Sequence, residues 1–281
     1  MRIAITGHKG QLGTALKRLL AEPHELFLID VPEYDISQRA AIIRAVTGFR
    51  PDLVIHAAAC TNVDACSCEP DMAYTVNGLG TQNIALACQQ TGAVMLYVST
   101  NEVFDGAASE PYLEFDRPNP INIYGRSKWA GEWYTQTLLQ KFYIVRTAWV
   151  YAPGGNHFVT KILRAADQRG RLSVVTDEIG SPTYAPDLAQ GIVRLIDTGA
   201  FGVYHLTNAG VCSRYEFAGE ILRLTGRVHV PITPITSDQY QRASRPPLYT
   251  ALRNFCGAAL GITLRSWQDA LQEYLNDVAA C

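Results

Sequence analysis

The feature that most narrows the fold is a glycine-spaced turn close to the start of the chain. Gly7-His8-Lys9-Gly10-Gln11-Leu12-Gly13 follows the apolar run Arg2-Ile3-Ala4-Ile5-Thr6 and precedes a segment with apolar residues at Leu12, Ala15, Leu16, Leu19 and Leu20. The first run reads as a buried strand and the second, by its spacing, as a helix. Glycines at that junction let the backbone bend sharply, let the helix pack close to the strand, and leave N–H groups uncovered at the helix N-terminus, where partial positive charge gathers. Such a turn suits a pyrophosphate, and its strand-to-helix setting makes a dinucleotide the expected ligand.

The same alternation continues. Strands are expected at 26–30, 53–59, 94–99 and 143–149, with helices at 40–48, near 81–91 and after Tyr124. Strands and helices in turn imply a parallel sheet covered on both faces, so the expected class is α/β, a doubly wound Rossmann-type sheet. Residues 1–150 read as the dinucleotide-binding domain. Past Tyr151 the rhythm breaks at Pro153-Gly154-Gly155, Gly180-Ser181-Pro182 and Arg245-Pro246-Pro247. Residues 151–281 read as a mainly substrate-binding lobe of shorter elements, partly interleaved with the last sheet elements.

Composition excludes several partners. The chain has 24 basic and 26 acidic side chains and a formal charge of -2, so neither nucleic acid nor an anionic membrane is expected. No signal-peptide core or transmembrane stretch is evident, and seven cysteines without a secreted framework suggest free thiols in the cytoplasm. Cys66 and Cys68 read as a surface loop, with no metal expected.

Asp30 closes the second expected strand, where an acid can accept hydrogen bonds from a ribose diol and favour NADH. Lys9 and His8 could instead meet a phosphate, and Asp35-Ile36 could place the adenine, so NADPH and NADH both stay open.

Tyr124-Gly125-Arg126-Ser127-Lys128 puts a phenol and an ammonium four residues apart, on one face of the expected helix. A nearby cation favours the phenolate and makes the phenol a usable acid toward a carbonyl oxygen. Thr100 follows Ser99 at the C-terminal end of a strand, the ligand-binding edge of such sheets, and its hydroxyl could hydrogen-bond the same carbonyl.

With these residues in view the chain resembles the extended short-chain dehydrogenase/reductases, and within them the dTDP-4-dehydrorhamnose reductase family. The likeness covers nearly the whole chain. It runs through Gly7–Gly13, Asp35-Ile36-Ser37, Pro51–Ala59 with Thr61 and Val63-Asp64, Val76-Asn77, Ser99-Thr100, Val103-Phe104-Asp105-Gly106, Tyr124 to Glu132, Arg146 to Tyr151, Gly180-Ser181-Pro182-Thr183 and Arg245-Pro246.

The resemblance implies hydride transfer from NADPH or NADH to the 4-keto carbon of dTDP-4-dehydro-L-rhamnose, giving dTDP-L-rhamnose. Tyr124 would donate the proton, Lys128 would tune it and hold the nicotinamide ribose, and Thr100 would orient the carbonyl. Gly7, Gly10, Gln11, Leu12, Gly13, Asp30, Asp35, Ile36, Ala57, Ala58, Ala59 and Asn77 would meet the cofactor, with Tyr124 and Lys128. Thr61, Val63, Asn101, Glu102 and Trp149 would face the sugar, and Arg245 would grip the diphosphate. The partner implied is a small nucleotide sugar, with a homodimer left open.

Two departures bear on the substrate. Members commonly carry Asp-Tyr after Ser-Thr, and this chain carries Asn101-Glu102, which puts sugar identity and stereochemistry in question. Pro247-Leu248-Tyr249 replaces the usual polar residues after Arg-Pro. Two other functions share the fold: a nucleotide-sugar epimerase or dehydratase, and a non-catalytic regulatory subunit like the beta subunit of methionine adenosyltransferase.

Overall fold

The computed structural model describes residues 1–279. Its first half alternates β1 (Arg2–Thr6), α1 (Gln11–Leu20), β2 (Glu25–Ile29), α2 (Arg39–Phe49), β3 (Leu53–His56), α3 (Val63–Cys68) and α4 (Pro70–Ala73). A π-helical segment (Tyr74–Gly80) leads into α5 (Thr81–Thr91), followed by β4 (Val94–Thr100), α6 (Ile123–Leu138) and β5 (Phe142–Thr147). The second half holds β6 (Val150–Tyr151), α7 (Phe158–Arg169), β7 (Leu172–Val175), β8 (Ile179–Gly180), β9 (Thr183–Tyr184) and α8 (Ala185–Thr198). It ends with β10 (Gly202–His205), β11 (Cys212–Ser213), α9 (Arg214–Leu224), β12 (Ile232–Ile235), α10 (Cys256–Ala259) and α11 (Trp267–Ala279).

Six strands form one parallel sheet in the order β10-β5-β4-β3-β1-β2. The order reverses beside β1, so the C-terminal ends of β1 and β3 open a crevice where such sheets bind ligands. Both faces are covered. Leu12, Leu16 and Leu20 of α1 and Leu188, Ile192 and Leu195 of α8 pack on Ile3, Ile5, Ile55 and Val145. On the other face Ile42 and Val46 of α2 and Ile84 and Ala85 of α5 cover Ala4, Val54, Met95 and Ile144. The apolar strand runs are buried because each points side chains into one of these two layers.

A separate core holds the second lobe together. Val159 and Ile162 of α7, Phe217, Ile221 and Leu222 of α9, and Leu271 and Tyr274 of α11 enclose Tyr151, Tyr184 and Trp267. Residues past 151 thus serve both lobes, since α8 and β10 return to the large sheet.

The structure departs from expectation in three places. β3 stops at His56 instead of running to 59, because the glycine turn crosses there: a Cβ on Gly7 would lie 2.7 Å from the Ala58 nitrogen. Cys66 and Cys68 belong to a helix, not a loop; Cys66 is buried with its thiol 3.5 Å from the Cys60 sulfur, while Cys68 is exposed. Helices α7, α8 and α9, of 12, 14 and 11 residues, are longer than the shorter elements expected beyond Tyr151. Among the described residues no helix is long and apolar enough to cross a membrane.

Candidate active site

A cavity of about 1510 Å³ runs along the crevice between the two lobes. One wall is the glycine turn. Gly7 has φ +70°, a region closed to most side chains, and a Cβ on Gly13 would lie 2.1 Å from the Gly7 carbonyl oxygen. No side chain caps α1 and no acidic residue sits in its first turn, so its N–H groups and partial positive charge face the cavity. Ala57, Ala58 and Ala59 line the opposite side with small side chains. This cradle fits a dinucleotide: glycine and alanine leave room, and the helix end supplies donors to an anion.

Asp30 lies at the rim. Its carboxylate accepts the Lys9 N–H at 2.9 Å and its neighbour Val31 N–H at 2.9 Å, which fastens the turn to the end of β2. The Lys9 ammonium is drawn to the Val31 carbonyl and to Glu33 at 2.9 Å.

Tyr124, Lys128 and Thr100 meet deeper in the same cavity. Asn122 caps α6 through its side-chain oxygen on the Gly125 N–H at 2.7 Å, which sets where Tyr124 begins the helix. One turn later Lys128 is buried, donates from Nζ to the Val98 carbonyl at 2.7 Å, and lies 4.3 Å from the Tyr97 ring centre. Burial holds the Lys128 amine down to about 7. Burial, then the Glu102 carboxylate, pushes the Tyr124 phenol up, and the Thr100 hydroxyl opposes both. The lowering of the phenol expected from Lys128 is therefore not what governs it: burial and the Glu102 carboxylate act most strongly, and Lys128 is not among the leading causes.

The far wall is charged and aromatic. Trp149 has φ +47°, an uncommon backbone conformation for a bulky residue, at the point where the chain leaves β5. Its ring lines the cavity and carries the Arg214 guanidinium 3.5 Å from its centre. Arg214 begins α9 and lies 3.6 Å from Glu178, which is also 3.5 Å from Arg242. Arg242 reaches Asp64 of α3 at 3.2 Å. Desolvation brings the Arg214 guanidinium down to about 10.

The family model described as RmlD substrate binding domain matches residues 1–280. The chain belongs to this family. It is 37% identical to the spore coat polysaccharide biosynthesis protein SpsK of Bacillus subtilis over 98% of this chain and 97% of that one. A dTDP-4-dehydrorhamnose reductase of Mycobacterium tuberculosis is 39% identical, over 96% of this chain and 91% of its own. The solved dTDP-4-dehydrorhamnose reductase of Bacillus anthracis, in complex with NADP, superposes with a TM-score of 0.95 at 39% identity, covering 98% and 99% of the two chains.

Within this RmlD-family chain, most of the residues singled out in the sequence line the one cavity: Gly7, Gly10, Gln11, Leu12, Gly13, Asp30, Asp35, Ile36, Ala57 to Ala59, Thr61, Val63, Thr100, Asn101, Glu102, Tyr124, Lys128 and Trp149. Two do not. Asn77 sits in the π-helical segment, where its side chain bonds both the N–H and the carbonyl of Cys60 and donates to the Ser127 hydroxyl at 3.0 Å. It clamps the loop carrying Thr61 to α6 and lies behind the cofactor wall. Arg245 is exposed outside the cavity, whereas Arg214 and Arg242 line it beside Trp149 and Glu178. Sequence reasoning missed these two and Glu178, because nothing local marks them; Ser213 ahead of Glu216, a capping box, signals only that a helix starts there.

Proposed function

We propose that this chain reduces the 4-keto group of a dTDP-linked deoxysugar with NADPH or NADH, the best-fitting substrate being dTDP-4-dehydro-L-rhamnose and the product dTDP-L-rhamnose. The observation that carries the reading is the convergence of Thr100, Tyr124 and Lys128 with the glycine turn on one cavity. The reductases among its relatives, similar along nearly their whole length, support the substrate class.

Gly7 to Gly13 and the N-terminus of α1 would hold the dinucleotide's pyrophosphate, and Ala57 to Ala59 leave space for its approach. A reduced nicotinamide, when bound, supplies the hydride. Thr100 would hydrogen-bond the ketone oxygen, and Trp149 offers a flat apolar surface to the sugar ring. Tyr124, its pKa raised, keeps its proton at neutral pH and would release it only as the ketone oxygen becomes a strongly basic alkoxide. Lys128, which lines the same cavity, would when protonated stabilise the phenolate left behind. Arg214 and Arg242, on the Trp149 side of the cavity, would meet the diphosphate, in the role the resemblance implied for Arg245.

The same reading puts the chain in the cytoplasm and leaves a homodimer as an assembly that light scattering decides. The test of function is direct: purified protein with dTDP-4-dehydro-L-rhamnose should consume NADPH or NADH in step with product. Unchanged nicotinamide absorbance with both reductants would refute it.

A further inference from the structure

Glu132 acts on Lys128 and Glu102 on Tyr124, and the surroundings of these two glutamates differ. Glu132 is fully buried and fully engaged: it accepts the Ser99 hydroxyl at 2.6 Å and both Arg146 contacts, at 2.9 Å and 2.7 Å. Glu102, two residues past Thr100, lines the cavity and accepts one side-chain hydrogen bond, from Asn122 at 2.6 Å. Among the described residues no cation stands within ion-pair distance of it. After burial, its charge acts more strongly on Tyr124 than that of any other group. A carboxylate with one hydrogen-bonded oxygen therefore lines the same cavity as the phenol that would bind the ketone.

A ketone held by the Thr100 and Tyr124 hydroxyls is more acid at the neighbouring carbons, because those hydrogen bonds also stabilise its enol. We propose that Glu102 is a general base that gives this chain a second activity, reversible enolisation of the bound 4-keto sugar with exchange of the hydrogen on C3 or C5. The inference rests on the reading that this cavity takes such a sugar. The Glu102 carboxylate takes the proton from the carbon, the C–H electron pair becomes the C=C bond, and the carbonyl π pair moves to oxygen, which takes the Tyr124 proton. Return reverses each transfer, and the proton on Glu102 exchanges with solvent in between. No electrons are gained or lost. Burial raises the Glu102 pKa, which makes its carboxylate the stronger base.

The experiment incubates the protein, loaded with NADP+, with dTDP-4-dehydro-L-rhamnose in D2O and follows deuterium at C3 and C5 by NMR against a protein-free control. Reduction by NADPH is measured in parallel. Wild type should incorporate deuterium, and Glu102→Gln should lower the ratio of exchange to reduction about 100-fold, with Glu102→Asp recovering part of it. A role confined to holding Asn122 would change reduction and exchange together and leave the ratio standing, which would overturn the proposal. Wild type that reduces the sugar without incorporating deuterium above the control would overturn it as well, even if the variants fail to fold. Exchange without reduction would support Glu102 and sink the reductase reading, and the absence of both would sink the two together.

Discussion

The two walls of the cavity are built in opposite ways. The cofactor wall is backbone: glycines, with Gly7 in the left-handed region, three alanines, and the end of α1, all within the first 60 residues. The substrate wall is side chain: Trp149, Glu178, Arg214 and Arg242 come from four separate segments and meet only because the second lobe folds over the sheet. A wall of backbone binds what many enzymes share, while a wall of long charged side chains is easily varied, so the difference separates a fixed reductant site from an adjustable sugar site.

Tyr124 stands where the walls meet, and its loss should have the largest effect. Tyr124→Phe should lower turnover by about 10²–10⁴-fold while cofactor affinity, measured by fluorescence titration, changes little. Equal losses in both would mean the phenol serves the cofactor wall alone. Gly13→Val should weaken cofactor binding roughly 10- to 100-fold, since its Cβ would meet the Gly7 carbonyl oxygen and overpacking costs about 1–3 kcal/mol. Arg214→Ala should do the reverse, raising KM for the nucleotide sugar about 10-fold through a lost charged contact and sparing the cofactor. A KM shift for both ligands from either change would erase the distinction between walls.

The smallest effect concerns proton linkage at Lys128. Its folded pKa is about 7 against an ordinary 10.5. Below pH 7 both folded and unfolded chains hold the proton, and the folded state bears the whole cost of a buried cation. Between about pH 7 and 10.5 the unfolded chain binds more protons, so this group's contribution to stability rises with pH. In cofactor-free protein Lys128→Met should therefore melt a few degrees above wild type at pH 6, and the gap should narrow by pH 9. A gap that stays constant from pH 6 to pH 9 would place the folded Lys128 pKa at or above its ordinary value.

What the sequence disclosed follows the same division. The glycine turn, the strand-helix beat and the Tyr124–Lys128 spacing depend on residues within a turn of one another, so periodicity and turn chemistry suffice to read them. Arg242 and Arg245 lie three residues apart in a loop with no period, and nothing local tells which faces the cavity; the Arg242 contacts with Asp64 and Glu178 decide it. The resemblance assigns Asn77 to the cofactor, yet its amide is spent on Cys60 and Ser127. The phenol's balance was also hidden, because desolvation belongs to the packed state and not to the pattern of residues.

The most direct test of the account follows the hydride itself. With NADPH deuterated at the transferring C4 position and dTDP-4-dehydro-L-rhamnose as acceptor, the product should carry a single deuterium at sugar C4, with one equivalent of NADP+ released. Product lacking that deuterium, or cofactor that stays bound and recycles without net oxidation, would contradict a reductase whose two walls meet at Tyr124.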